Sequence, residues 1–315
     1  MKVRILIVLL GGLMLVDVSH ADETLYKREN EVIYGRKHGL AMTLDVFQPL
    51  AKRNRRGIVF AISGGWFSAY RNIDGFARRG SWSELIKSGY SLFAVVHGSQ
   101  PKFTIPEIRE DIHRAVRFIR HNAKSYGIDP KQIGMIGGSA GGHLSLMQGT
   151  AGRDGNPKAS DPVERESSRV QAVVAYFPPT DFLNYGAEGK HFDHYIRRLL
   201  DGKNPYLAAL DFHSHDREQN WYERITDEAK VREQLREAAP VTHVSEGDAP
   251  SLIIHGDADK LVPIQQADRI MARFKSAGVE SELLVMPGKD HGWEAEPAEL
   301  KMIGDWFDRH LLKNK

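Results

Sequence analysis

The sequence predicts a single α/β domain built on a doubly wound, mostly parallel sheet of about eight strands. Three observations carry that expectation. Eight short apolar runs recur along the chain, and most are continuous rather than alternating, as strands buried on both faces require. Helical patterns lie between them, and strand–helix alternation is the mark of parallel crossovers. At 315 residues and 41% hydrophobic content, the chain is long enough to bury one full core.

Taken in order, Glu31-Val-Ile-Tyr34 and Met42-Thr-Leu-Asp-Val-Phe47 read as two antiparallel strands joined near His38-Gly39. Gly57–Ile62, Ser91–Val96, Gln132–Ile136 and Val170–Ala175 follow as strands, then Ser251–Ile254 and Glu282–Met286. Pro106 opens a helix that carries Ile108, Ile112, Ala115, Val116 and Ile119 at helical spacing, with Gly127 just past its end. Two more helices are expected over about residues 264–276 and 299–312. Residues 178–240 interrupt the alternation. That stretch is polar and aromatic, with Tyr185, Phe192, Tyr195, Phe212, Trp221 and Tyr222 among many charges, and it holds no buried-strand pattern. It reads as an insertion of helices and loops following the C-terminal end of a strand. Loops at that end carry the chemistry of open α/β sheets, so the insertion either caps a site or decorates the periphery.

Composition excludes several classes of function. Formal net charge is only +2 and the basic residues are scattered, so no nucleic-acid partner is expected. The densest basic cluster, Lys52-Arg53-Asn54-Arg55-Arg56, falls between two strands and reads as a solvated loop. With no cysteine, the chain has no disulfide, thiol nucleophile or cysteine-borne lipid. At the N-terminus, Lys2 and Arg4 precede an apolar run from Ile5 to Val16, and Ser19-His20-Ala21 supplies small residues at the −3 and −1 positions. The run is short of the roughly 20 residues that span a bilayer. Residues 1–21 therefore read as a secretory signal peptide cleaved before Asp22, the alternative being an uncleaved interfacial anchor. The expectation is a secreted or periplasmic domain over residues 22–315 with no stable membrane anchor.

The chemistry gathers around Gly137-Gly-Ser139-Ala-Gly141, a G-x-S-x-G pentapeptide between the Gln132–Ile136 run and a helix-compatible stretch, Gly142–Met147. Strand–turn–helix context separates a nucleophile elbow from a chance glycine-rich loop. The turn is sharp enough that side chains at positions 137 and 141 would collide with the neighbouring strand and helix. Ser139 is the candidate nucleophile. A serine hydroxyl needs a base, normally histidine held in one tautomer by a carboxylate, in the chain order Ser, Asp or Glu, His. Two carboxylates, Asp257 and Asp259, compete in the stretch His255 to Pro263, with Asp257 suited to turn hydrogen bonds. His291 is the candidate base, in a glycine-bounded loop beyond the last strand. His143, inside the helix behind the nucleophile, reads as a packed residue, and His255 as a brace for the acid turn. His191/His194 and His213/His215 lack a carboxylate or cysteine framework at zinc spacing and read as solvated loop residues. No metal or cofactor is called for.

A tetrahedral oxyanion needs preorganised N–H donors, each worth about 2.7–4 kcal/mol. The Ala140 amide, directly after the nucleophile, is one candidate. Others come from the loop after the third strand, Ile62-Ser-Gly64-Gly65-Trp66, where Gly64 and Gly65 are the better candidates and Trp66 the next.

Together these residues resemble an α/β-hydrolase serine esterase, most closely the hormone-sensitive-lipase-like and acetyl-/feruloyl-xylan-esterase families. The similarity spans about residues 40–310 and is densest from Tyr126 to His143, with His255–Pro263 and Asp290-His291-Gly292 also matching. The resemblance selects Asp259 over Asp257 and implies a Ser139–Asp259–His291 triad. Three departures stand out. Those families carry His-Gly-Gly-Gly-Trp at the oxyanion loop, where this chain has Ile62 and Ser63 in the first two places. The motif usual after the next strand is replaced by His97-Gly98-Ser99-Gln100-Pro101, and the 178–240 insertion is longer than usual. The implied function is an exported carboxylic-ester hydrolase working through an acyl-enzyme on small acyl esters or acylated carbohydrate. A serine peptidase of the prolyl-oligopeptidase catalytic-domain type uses the same triad order, but no room for its propeller and no clamp for a peptide amine are evident. A non-catalytic hydrolase-fold binding protein typically lacks a triad member, and this chain keeps all three. No motif specifies the acyl chain, the alcohol or the oligomeric state.

Overall fold

The computed structural model describes residues 25–80, 82–216, 218, 219 and 221–311, so the expected signal peptide over residues 1–21 lies outside the described residues. Ten strands are present among them: β1 (Tyr26–Lys37), β2 (Leu40–Pro49), β3 (Gly57–Ile62), β4 (Ser91–Val96), β5 (Ile133–Gly138), β6 (Ala172–Tyr176), β7 (His213–Asp216), β8 (Trp221–Arg224), β9 (Ser251–Gly256) and β10 (Ser281–Met286). Eight form one sheet in the order β1-β2-β4-β3-β5-β6-β9-β10. β1 pairs antiparallel with β2, and β2 antiparallel with β4, while the pairs from β4 across to β10 are parallel. The expected doubly wound, mostly parallel sheet of eight strands is therefore observed.

The continuous apolar runs have a direct cause. Within β3, Val59 and Ala61 enter the core on one face, while Ile58, Phe60 and Ile62 enter the core on the other. Successive side chains point to opposite faces, so a strand covered on both sides must be apolar at every position. One face is covered by α3 (Ile105–His121), α5 (Ala140–Thr150) and α9 (Gln265–Ala277). The other is covered by α1 (Arg71–Arg78), α2 (Ser83–Lys87) and α10 (Pro297–Leu311). α3 begins with a reciprocal capping box between Thr104 and Glu107. It stops at His121, and the expected Gly127 terminus instead caps the single turn α4 (Ala123–Tyr126), with a φ of +66°.

The segment after β6 contains α6 (Phe192–Leu199), α7 (Glu228–Glu237) and α8 (Pro240–His243). It differs from the expected helices and loops in one respect: β7 and β8 pair as a small antiparallel hairpin. β8 is exposed throughout, so this hairpin leaves no apolar alternation in the sequence. The two ends of the segment meet, since the Val241 N–H donates to the Thr180 carbonyl. Thr180 is in turn fixed to α9, its N–H donating to Gln266 Oε1 at 2.8 Å and its hydroxyl to the Gln266 carbonyl at 2.6 Å. Among the described residues, no helix is long and apolar enough to cross a membrane.

Candidate active site

Parallel strands align their C-terminal ends on one edge of the sheet, and the loops leaving β3, β5, β6, β9 and β10 converge there. Ser139 lies directly after β5, at the start of α5, with φ +54° and ψ −120°, a region in which a side-chain-bearing residue persists only when its surroundings over-determine it. Those surroundings are backbone. A Cβ at position 137 would lie 2.5 Å from the Gly141 carbonyl, one at 141 would lie 2.8 Å from the Ala61 carbonyl oxygen, and one at 142 would lie 2.7 Å from that of Tyr176. The Ser139 N–H donates to the Tyr176 carbonyl at 2.9 Å, and the Ser139 carbonyl accepts from the His143 N–H at 2.9 Å.

His291 Nε2 lies 2.9 Å from Ser139 Oγ, and His291 Nδ1 lies 2.8 Å from Asp259 Oδ2. An ionised carboxylate only accepts, so Nδ1 carries the proton and Nε2 is free to accept from the serine hydroxyl. The second Asp259 oxygen, Oδ1, accepts from the Leu261 and Val262 amides at 2.9 and 2.8 Å. Burial alone would raise the Asp259 pKa. Hydrogen bonds from His255 and His291, together with the Val262 amide, outweigh burial and hold it at about 2. Asp259 is thus ionised across the physiological range. His255 is buried, with Nε2 2.8 Å from the Val262 carbonyl, and it braces the acid turn as expected.

Asp257 takes a part wider than a local turn. Its Oδ1 accepts the Gly288 amide at 2.6 Å, tying the acid loop to the histidine loop. Asp290 ties them again, accepting from the Lys260 amide at 3.0 Å and the His291 amide at 2.8 Å. A ring not singled out in the sequence packs on the base, backed by a second. The Phe177 centroid is 4.6 Å from that of His291, and Trp293 packs on Phe177 at 5.1 Å.

The loop after β3 forms a two-residue turn in which Gly65 and Trp66 both have positive φ, +57° and +58°, as in type I′ hairpin turns. The Gly64 N–H donates to the Phe67 carbonyl at 2.9 Å, and the Phe67 N–H returns to Gly64 at 3.0 Å. This corrects the expectation of Gly64 as an oxyanion donor, because its amide already has an acceptor. Among the described residues, no backbone acceptor takes the Gly65, Trp66 or Ala140 amides. A left-handed tryptophan costs about 1–3 kcal/mol. Burial of its indole offsets that cost: Nε1 donates to His143 Nδ1 at 3.1 Å, and the ring meets Phe182 and Phe192 edge-on. His143 completes the tie by donating Nε2–H to the Ala238 carbonyl at 2.7 Å.

The histidine that the resembling families place ahead of this loop is replaced by support from the loop after β4. Gln100 donates its side-chain amide to the Gly65 carbonyl at 2.5 Å and its main-chain N–H to the Trp66 carbonyl at 3.2 Å. Ser99 Oγ accepts from the Ser68 N–H and donates to the Ser68 carbonyl, both at 2.8 Å. Of the histidine pairs weighed as metal ligands, His191 Nε2 lies 3.2 Å from an Arg232 guanidinium nitrogen, and His213 Nδ1 lies 2.8 Å from the Asp211 carbonyl.

A small pocket opens beside Ser139, lined by Gly65, Trp66 and Ala140 together with Tyr185, Phe192 and Tyr206 of the insertion. Larger surface grooves lie elsewhere, one of about 670 Å³ among the ion pairs of Arg114, Arg117 and Glu164.

Comparison with known proteins gives a consistent picture. A family profile, BD-FAE, matches residues 44–274. The probable carboxylic ester hydrolase LipM of Mycobacterium tuberculosis is 30% identical over 82% of this chain and 55% of its own length. Esterase LipC of the same organism is 26% identical over 85% of this chain and 60% of its own. This chain thus spans little more than half the length of those relatives. Among solved structures, a truncated form of a carbohydrate esterase from gut microbiota superposes with a TM-score of 0.73 at 24% identity, covering 92% of this chain and 98% of the other. At that identity the likeness is one of fold.

Proposed function

Because this chain belongs to the BD-FAE family and has the α/β-hydrolase fold, we propose that it is a serine carboxylic-ester hydrolase acting through an acyl-enzyme. The observation that carries this reading is the unbroken hydrogen-bond chain from Ser139 Oγ through His291 to a buried, ionised Asp259. In the first step Ser139 Oγ attacks the ester carbonyl while His291 Nε2 takes its proton, and Asp259 stabilises the imidazolium that forms. Negative charge on the carbonyl oxygen is met by the amides of Ala140 and Gly65, with Trp66 beside them. His291 then gives its proton to the departing alkoxide. Water, deprotonated by the same histidine, releases the acid and restores the serine.

The leaving alcohol must lie where His291 can protonate it, next to Phe177 and Trp293. Rings of this kind pack against the apolar face of a sugar, which favours an acylated carbohydrate over a charged alcohol. Residues 178–240 act as a cap, since Tyr185, Phe192, Ile196 and Tyr206 all line the pocket at the nucleophile. The signal-like N-terminus supports a periplasmic or extracellular location for the enzyme.

The decisive experiment is hydrolysis of 4-nitrophenyl acetate by the purified protein and by Ser139→Ala. The variant should lose kcat by about 10⁵-fold or more, and a fluorophosphonate should label Ser139 in the unmodified protein. Wild-type activity in Ser139→Ala would refute the nucleophile. Faster turnover of prolyl or alanyl 4-nitroanilides than of esters would favour a peptidase instead.

A further inference from the structure

We propose that the pocket beside Ser139 admits an acetyl group and excludes longer acyl chains, with Phe192 and Tyr206 as the walls that set the limit. This rests on the esterase reading above and adds the acyl specificity that no motif supplied.

The acyl side of the site follows from proton bookkeeping. The alcohol leaves on the side of His291, because Nε2 must reach its oxygen. With the carbonyl oxygen held near Ala140 and Gly65, the acyl substituent is directed away from the histidine. The pocket at Ser139 meets that description: Ser139, Ala140 and Gly65 line it, and His291 does not. Its volume is about 20 Å³. That is a small fraction of the roughly 240 Å³ cavity behind Phe192, so the space suits a short acyl group rather than an extended chain.

What closes the pocket is aromatic and comes from the insertion. The Tyr206 ring lies directly on Gly65, so that even a Cβ there would sit 2.7 Å from its Cδ1 and Cε1. Phe192 is 3% exposed and packed by Trp66, Phe182 and Tyr185 at centroid distances of 6.0, 5.6 and 4.9 Å. On its far side lies a second cavity of about 240 Å³, lined by Leu210, Phe212, Val231 and Leu235 and also by the Arg224–Asp211 ion pair. Phe192 borders both spaces. An acyl chain extending from Ser139 therefore meets the Phe192 ring in front of a larger, unused space.

The test is kcat/KM for 4-nitrophenyl acetate, butyrate and hexanoate with the wild type, Phe192→Ala, Tyr206→Ala and, as an exposed control, Tyr222→Ala. A methylene that a pocket cannot accept costs about 10–200-fold, so the wild type should prefer acetate to butyrate at least about tenfold. Removing either wall should raise the butyrate-to-acetate ratio at least about tenfold, while Tyr222→Ala leaves it unchanged. A wild type that hydrolyses butyrate as well as acetate overturns the proposal, as does an unchanged ratio in a folded wall variant. If Phe192→Ala fails to fold, Tyr206→Ala and the wild-type series decide. Failure of the wild type to hydrolyse any of the esters would instead sink the esterase reading, and this inference with it.

Discussion

Replacing Asp259 by Asn is a near-isosteric change whose consequence can be worked from the contacts of each oxygen. Oδ1 accepts two backbone amides, those of Leu261 and Val262, and only an oxygen can stay there. The new amide nitrogen is thereby forced into the Oδ2 position, 2.8 Å from His291 Nδ1. A donor now faces that nitrogen, so Nδ1 must become the acceptor and the ring proton moves to Nε2. Nε2–H then points at Ser139 Oγ and cannot remove its proton. The fold should survive, because no volume changes and both backbone bonds are kept. In a serine triad this wrong-tautomer substitution lowers kcat by about 10⁴, equivalent to about 5.5 kcal/mol of transition-state stabilisation. The assay is kcat for 4-nitrophenyl acetate with melting temperature measured in parallel. Asp257→Asn, which weakens only the bond to Gly288, should keep most of the activity. An Asp259→Asn variant within tenfold of wild type, or an Asp257→Asn variant more impaired than it, would refute the tautomer argument.

Two further outcomes are expected. Gln100→Ala removes the side-chain support of the Gly65 carbonyl and should lower kcat about tenfold, or about 1.4 kcal/mol, with KM changed less than twofold; an unchanged kcat would remove Gln100 from the support of the turn. Stability should fall steeply with acid between about pH 6.5 and 4. Burial holds His97 and His143 down to about 4 and His113 to about 3, so over that range the unfolded chain takes up protons that the native state refuses. Each contributes stability that is fully present above 6.5 and lost as pH falls toward its native value, on the order of 1.4 kcal/mol per pH unit. Thermal melts across that range should show it, and a flat profile would contradict the neutral, buried state of the three rings.

The residues that fixed the architecture were legible because their burial is two-sided or their crowding is backbone against backbone. The β3 run reads as apolar at every position since both faces are packed, and Gly137 and Gly141 read as an elbow since no side chain fits there. What escaped the sequence is non-local or locally unfavourable. Helices α1 and α2 are short, and Gly75, Gly80 and Gly89 break any period around them. The capture of the Gly64 amide by Phe67 depends on a left-handed Trp66, which local preference argues against and only the His143–Phe182–Phe192 environment sustains. The support from Gln100 joins residues 35 positions apart and has no local signature. Phe192 reads only as one aromatic in a polar stretch and Tyr206 is not singled out at all, because the role of each is defined by what stands opposite it.

The meeting of Thr180 and Val241 has an evolutionary consequence. A segment whose two ends meet in this way can be lengthened or exchanged with only a slowly growing entropic penalty. Ser139, Asp259 and His291 all lie outside it, whereas Tyr185, Phe192 and Tyr206 lie inside. On the proposed reading, changes within the segment can redraw which acid is released without touching the three residues proposed to break the bond.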